Sequence, residues 1–125
     1  MQIAILGCGQ LARMLAQAAR PLGVSCNFAA IAGEGTRCVD GLGQVVPWDT
    51  GDVTVASVEA LYRMLGSPAV ITVERESIDV ELLRALQNHC RVYPNPDSVR
   101  YCQNRRLERR LLAATDIPCS PHGEA

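Results

Sequence analysis

The chain has 125 residues, 48% of them hydrophobic and 20% charged, with a formal net charge of −1. This length suits one compact domain of ~100–150 residues, and it can bury a core without the disulfides or metals needed below roughly 40 residues. The even charge balance argues against a nucleic-acid partner, and no apolar run approaches the ~18 residues of a membrane span. With no secretory layout at the amino end, the expectation is a soluble cytoplasmic domain.

Ile3-Ala4-Ile5-Leu6 is a short apolar run ended by Gly7-Cys8-Gly9, the pattern of a buried parallel strand entering a tight turn. Leu11, Met14, Leu15, Ala18 and Ala19 then recur at helical spacing until Pro21 and Gly23. Val24 to Ala30 reads as a second strand, and Gly33-Glu34-Gly35-Thr36 as a loop. Gln44-Val45-Val46 gives a third, short strand closed by Pro47. From Ser57, the residues Val58, Leu61, Tyr62 and Leu65 mark a second helix, ended by Gly66-Ser67-Pro68. Ala69 to Val73 is the most strand-like segment, rich in β-branched residues. Asp79 is placed to cap a third helix that turns Val80, Leu82, Leu83 and Leu86 inward. Arg91-Val92-Tyr93 is a last strand before Pro94-Asn95-Pro96, and Asp97 to Thr115 is helical in composition up to Ile117-Pro118. Strands alternating with helices predict an α/β domain of three layers around a mostly parallel sheet, with the Gly7–Gln10 turn at its carboxyl edge.

All twelve basic residues are arginine, so chemistry that needs a Schiff-base or P-loop lysine is excluded within these residues. The six cysteines stand alone, without a C-x-x-C pair or a histidine at ligand spacing. They read as free thiols packed as small apolar groups, and no metal site is expected.

Three stretches carry chemical signals. Gly7-Cys8-Gly9-Gln10-Leu11-Ala12 fits the dinucleotide fingerprint G-x-G-x-x-G/A between a strand and a helix, where free N–H groups and the helix dipole favour an anion. That fingerprint also asks for an acid at the end of the second strand. Ala29, Ala30, Ile31 and Ala32 stand there instead, and Glu34 lies further on in a glycine loop. Glu74-Arg75-Glu76 follows the strongest strand, where the ligand crevice of a parallel sheet lies; a solvated loop explains it equally well. Arg105-Arg106-Leu107-Glu108-Arg109-Arg110 puts four arginines on a helix, in a pattern more often a solvated basic face than a phosphate site. His89 and His122 have no neighbouring nucleophile or ligand set.

Together these stretches resemble the amino-terminal part of the 5-(carboxyamino)imidazole ribonucleotide synthase family, ATP-grasp enzymes of purine biosynthesis. Ile5 to Leu15 is similar to the family's I-L-G-G-G-Q-L-G-R-M-L, and Ala19-Arg20-Pro21-Leu22-Gly23 to its A-R-P-L-G. Ile71 to Glu76 resembles V-T-F-E-F-E, and Val92 to Pro96 resembles V-Y-P-S-P. Gln103 to Pro118 follows Q-D-R-x-x-E-K-x-x-L-x-x-x-x-I-P. The departures are Cys8 and Ala12 for glycines, Val73 and Arg75 for aromatics, Asn104 for an acid and Arg109 for a lysine.

The resemblance implies a Rossmann-like, pre-ATP-grasp domain over residues 1–96, with residues 97–125 the start of an ATP-grasp region. It implies carboxylation of aminoimidazole ribonucleotide with bicarbonate and ATP, Mg²⁺ screening the triphosphate. Gly7, Gly9, Gln10, Leu11 and Glu74 would lie at the ribonucleotide, and Arg105 at ATP. The family also implies a homodimer. Its members continue far beyond Pro118, so this chain alone is expected to be inactive, to bind no ATP or Mg²⁺ tightly and to lack its ATP-grasp partner domain. The alternatives are a dinucleotide-binding module and a non-catalytic remnant that serves as an interaction surface.

Overall fold

A computed structural model describes residues 1–49, 51, 53–121 and 123. Among them the chain runs β1 (Gln2–Leu6), α1 (Gln10–Ala19), β2 (Ser25–Ile31), β3 (Val45–Trp48), α2 (Val55–Met64), β4 (Val70–Val73), α3 (Val80–Leu86), β5 (Arg91–Tyr93), α4 (Pro96–Gln103) and α5 (Arg105–Ala114). The strands form one sheet in the order β3-β2-β1-β4-β5, and every pair is parallel. The most continuously apolar strand, β1, takes the centre, where both of its faces are covered.

Alternation along the strands divides the core into two. Ala4, Leu6, Ala29, Ile71 and Val92 face one side, against Val58, Leu61 and Leu65 from α2 and its cap and Leu82, Leu83 and Leu86 from α3. Ile5, Cys26 and Phe28 face the other, against Ala12, Ala16 and Ala19 of α1. Helices on both faces make the three layers expected from the sequence. Each fully buried Leu, Ile or Phe contributes about 1.5–3 kcal/mol, so the sheet and α1 to α3 carry most of the stability.

One helix packs by its smaller residues, and two local expectations need correcting. The helix at Leu11–Ala19 forms, but its large apolar residues do not face the sheet: Leu11, Met14 and Leu15 are exposed, and the alanines at positions 12, 16 and 19 are buried. Small residues let α1 lie close to the sheet. Pro47 does not end the third strand; it pairs with Ala30 inside β3. The strand is an edge, so a missing N–H costs no ladder bond on the open side. The long helix from Asp97 is two helices, because Asn104 is extended (φ −129°, ψ 110°). Its side chain caps α5 by accepting from the backbone N–H groups of Arg106 and Leu107.

Candidate functional site

The turn after β1 and the loops after β2, β4 and β5 meet at the carboxyl edge of the sheet, as predicted. The helix start of α1 has no cap from its own side chains; Gly9, its N-cap, has none to give. The cap comes from Glu74, just past β4. Its Oε1 accepts from Gly9 N at 2.9 Å, and its Oε2 accepts from Gly9 N at 3.1 Å and Ala12 N at 2.8 Å. A carboxylate at a helix N-terminus is favoured by both the free N–H groups and the dipole.

The glycines of the turn serve this approach. Gly7 has φ +123°, and a Cβ there would stand 2.6 Å from Glu74 Oε1; a Cβ on Gly9 would stand 2.9 Å from it. No side chain fits at either position while Glu74 sits where it does.

Spacing sets Glu34 too far along its loop to serve the turn, and its position in the structure corrects this. It lies three residues beyond β2, but its side chain is only 10% exposed and turns back onto the same turn. Oε1 accepts from Cys8 N at 3.0 Å and Oε2 from Ile31 N at 3.1 Å, while Arg75 stands 3.4 Å from Oε1. The available signal was the flanking Gly33 and Gly35, which let the loop fold back; spacing alone counted Glu34 as too far along. A bound dinucleotide would place its pyrophosphate at the α1 N-terminus and its ribose at an acid beyond β2. Glu74 occupies the first position; at the second Glu34 is itself the acid, with its oxygens accepting from Cys8 N and Ile31 N.

Between these two acids lies Cys8, fully buried. Its thiol is pushed up from the ordinary 9.0 to about 11, first by burial and then by the nearby Glu34 and Glu74 charges, with Arg75 opposing. It is a packed, protonated thiol at neutral pH.

Two depressions flank Glu74. A cleft of about 660 Å³ is lined by Val73, Glu74, Arg75, Glu76, Val99 and Arg105, among others. A smaller groove of about 320 Å³ is lined by Leu11, Met14, Leu15, Ala18, Val73 and Glu74. Of the residues singled out from the sequence, Gly7, Gly9 and Glu74 are therefore in direct contact. Leu11 shares the groove with Glu74, and Arg105 shares the cleft with it. Gln10 is exposed at the start of α1.

Gln103 also lines the cleft, in a role that its sequence position does not show. Its Nε2 donates to the carbonyls of Glu76 at 2.7 Å and Ile78 at 2.6 Å, tying the loop after β4 to the end of α4. Arg105 is exposed and pairs with Glu108 at 3.0 Å. β4 ends at Val73, so the exposed Glu76 belongs to this loop and not to the strand's alternation. His89 stacks on Tyr62, with ring centroids 5.0 Å apart, which gives it a packing role. His122 lies outside the described residues. Among the described residues no three His, Cys, Asp or Glu side chains come together to hold a metal ion, and no helix is long and apolar enough to cross a membrane.

A family profile described as the ribonucleotide synthetase preATP-grasp domain matches residues 1–103. The chain is 35% identical over 118 residues to N5-carboxyaminoimidazole ribonucleotide synthase of Pseudomonas aeruginosa, covering 94% of this chain and 31% of that protein. The crystal structure of N5-carboxyaminoimidazole ribonucleotide synthetase from Thermus thermophilus matches with a TM-score of 0.78 at 30% identity, over 93% of this chain and 30% of that one. N5-carboxyaminoimidazole synthase from Aspergillus clavatus, crystallised with ADP and 5-aminoimidazole ribonucleotide, shares the fold: its TM-score is 0.75 at 22% identity, over 96% of this chain and 31% of that one. The chain thus spans less than a third of the length of these relatives.

Proposed function

The chain belongs to the ribonucleotide synthetase preATP-grasp domain family, and from that premise we propose that it is the ribonucleotide-facing, amino-terminal part of a 5-(carboxyamino)imidazole ribonucleotide synthase. In that reaction ATP phosphorylates bicarbonate to carboxyphosphate with release of ADP. The carboxyl group then passes to the exocyclic amine of aminoimidazole ribonucleotide, and phosphate leaves. The family's relatives carry this activity in their names, and one was crystallised with ADP and the ribonucleotide.

One observation carries the reading at this chain's own site. Glu74 occupies the α1 N-terminus where a dinucleotide's pyrophosphate would sit, and an open cleft remains beside it with Glu74, Arg75 and Arg105 among its lining residues. In this reading Gly7 leaves room for Glu74 and Gly9 donates to it, and Gln10, Leu11 and Glu74 form one side of the ribonucleotide site. Arg105 faces ATP. Residues 97–125 begin the ATP-grasp region, while the remaining triphosphate contacts and the Mg²⁺ ligands come from the part of the family's length this chain does not span. The chain alone is then inactive, since phosphoryl transfer depends on positioning and charge stabilisation from groups supplied there. Self-association as a homodimer in a cytoplasmic setting belongs to the same reading.

Calorimetry on the purified chain tests it. Aminoimidazole ribonucleotide is expected to bind more tightly than NAD, and no ADP should be released above a no-enzyme control when ATP, bicarbonate, Mg²⁺ and the ribonucleotide are supplied. Tighter NAD binding overturns the ribonucleotide assignment, and ribonucleotide-dependent turnover overturns the inactivity.

A further inference from the structure

Arg75 stands where the resembling family pattern has an aromatic residue, and its surroundings give it a defined position. Its side chain is 41% exposed on the wall of the 660 Å³ cleft, and its other side faces Glu34. Glu34 is nearly buried, and each of its oxygens already accepts a backbone N–H, from Cys8 and from Ile31. That carboxylate cannot swing, so it is a fixed anchor for a long side chain that would otherwise lose rotamer freedom on binding. At 3.4 Å the pair is looser than the 2.7–2.9 Å of a strong charge-assisted hydrogen bond. Most of the five guanidinium N–H donors thus remain for a ligand.

Glu76, an exposed carboxylate, lines the same cleft. Glu74, also in the cleft wall, directs its charge into the N–H groups of Gly9 and Ala12. A cleft with one anchored guanidinium and one free carboxylate suits a ligand carrying both an anionic group and hydroxyl donors. A ribose with a phosphate monoester offers both.

We propose that Arg75, positioned by Glu34, binds the phosphate monoester of the ribonucleotide in this cleft, with Glu76 accepting from its sugar hydroxyls. This rests on the ribonucleotide reading above for the identity of the base, and not for the sugar phosphate. Arg105, which lines the same cleft and pairs with Glu108, stays with ATP.

The experiment is calorimetric titration of the native chain, Arg75→Gln and Arg75→Lys with aminoimidazole ribonucleotide, ribose 5-phosphate and ribose. Thermal melts of each variant confirm that it is folded. Arg75→Gln is expected to weaken both phosphorylated ligands by roughly tenfold or more, the scale of a lost charged hydrogen bond, and to leave ribose unchanged. Arg75→Lys is expected to recover part of the loss, because it keeps the charge without the fork geometry. Equal affinity of native and Arg75→Gln chains for the ribonucleotide overturns the proposal while the ribonucleotide reading stands. An Arg75-dependent site that holds ribose 5-phosphate as tightly as the ribonucleotide upholds the proposal and overturns the reading of the base. Loss of ribose binding in step with the phosphorylated ligands makes Arg75 structural and overturns the proposal, and no binding of any ligand to the native chain overturns both.

Discussion

Glu74 has two claims on its lone pairs. It holds Gly9 N and Ala12 N, and the proposed function also gives it a ligand. Glu74→Gln keeps the shape but turns an amide donor towards one of those N–H groups. We expect this change to lower the chain's stability by about 1–3 kcal/mol in urea unfolding, as for a buried donor left without a partner. An unchanged midpoint would mean that water replaces Glu74 at the helix start. In a full-length relative context the same substitution should weaken the ribonucleotide far more than ATP, whereas equal losses would make the role purely structural. Cys8 gives a pH prediction. A thiol whose folded pKa is raised from 9.0 to about 11 loses less proton than in the unfolded chain over that interval, so stability falls as pH rises through it. Denaturant melts at pH 8 to 11 should show a shallower alkaline decline in Cys8→Ala than in the native chain; identical slopes would contradict the assigned shift. The Gly-x-Gly turn and the place of Glu74 just past β4 could be read from order and residue type; that its carboxylate caps α1 could not. Glu34 could not, because its role depends on a glycine loop folding back through space.

The helices show a different limit. Hydrophobic spacing located α1 correctly, yet the face that packs is the alanine face. Periodicity reports an amphipathic helix, not the distance at which it packs, and close packing here favours the smaller side chains. Ala16→Leu should therefore destabilise the chain by roughly 1–3 kcal/mol through overpacking, while Leu15→Ala should stay within about ±0.5 kcal/mol. The reverse order in thermal or urea melts would return α1 to the orientation that its large residues suggest. The break at Asn104 was hidden for a related reason. Composition is helical on both sides, and only the side-chain cap onto Arg106 and Leu107 marks the boundary. α3 was easier, since Asp79 caps it locally by accepting from Glu81 N at 2.8 Å.

At the scale of the whole molecule, strand–helix alternation with glycine and proline punctuation leaves few topologies, and the parallel five-strand sheet follows from them. The meeting of loops at the carboxyl edge was legible for the same reason: in such sheets they converge there whatever their sequence. What the alternation did not disclose is that this edge is already partly filled from within. Glu34 and Glu74 make the fingerprint turn a self-capped element, and the proposed ligand meets the Glu74–Arg75 edge beside it. Amide NMR of the 13.5 kDa chain tests this most directly. Titration with aminoimidazole ribonucleotide is predicted to shift the amides of Gln10, Leu11 and Glu74 to Glu76 while Cys8 and Ala12 remain protected from exchange, and NAD is predicted to shift none of them. NAD-induced shifts centred on Gly9, Ala12 and Ile31 to Glu34, with loss of protection at Cys8 and Ala12, would contradict the account.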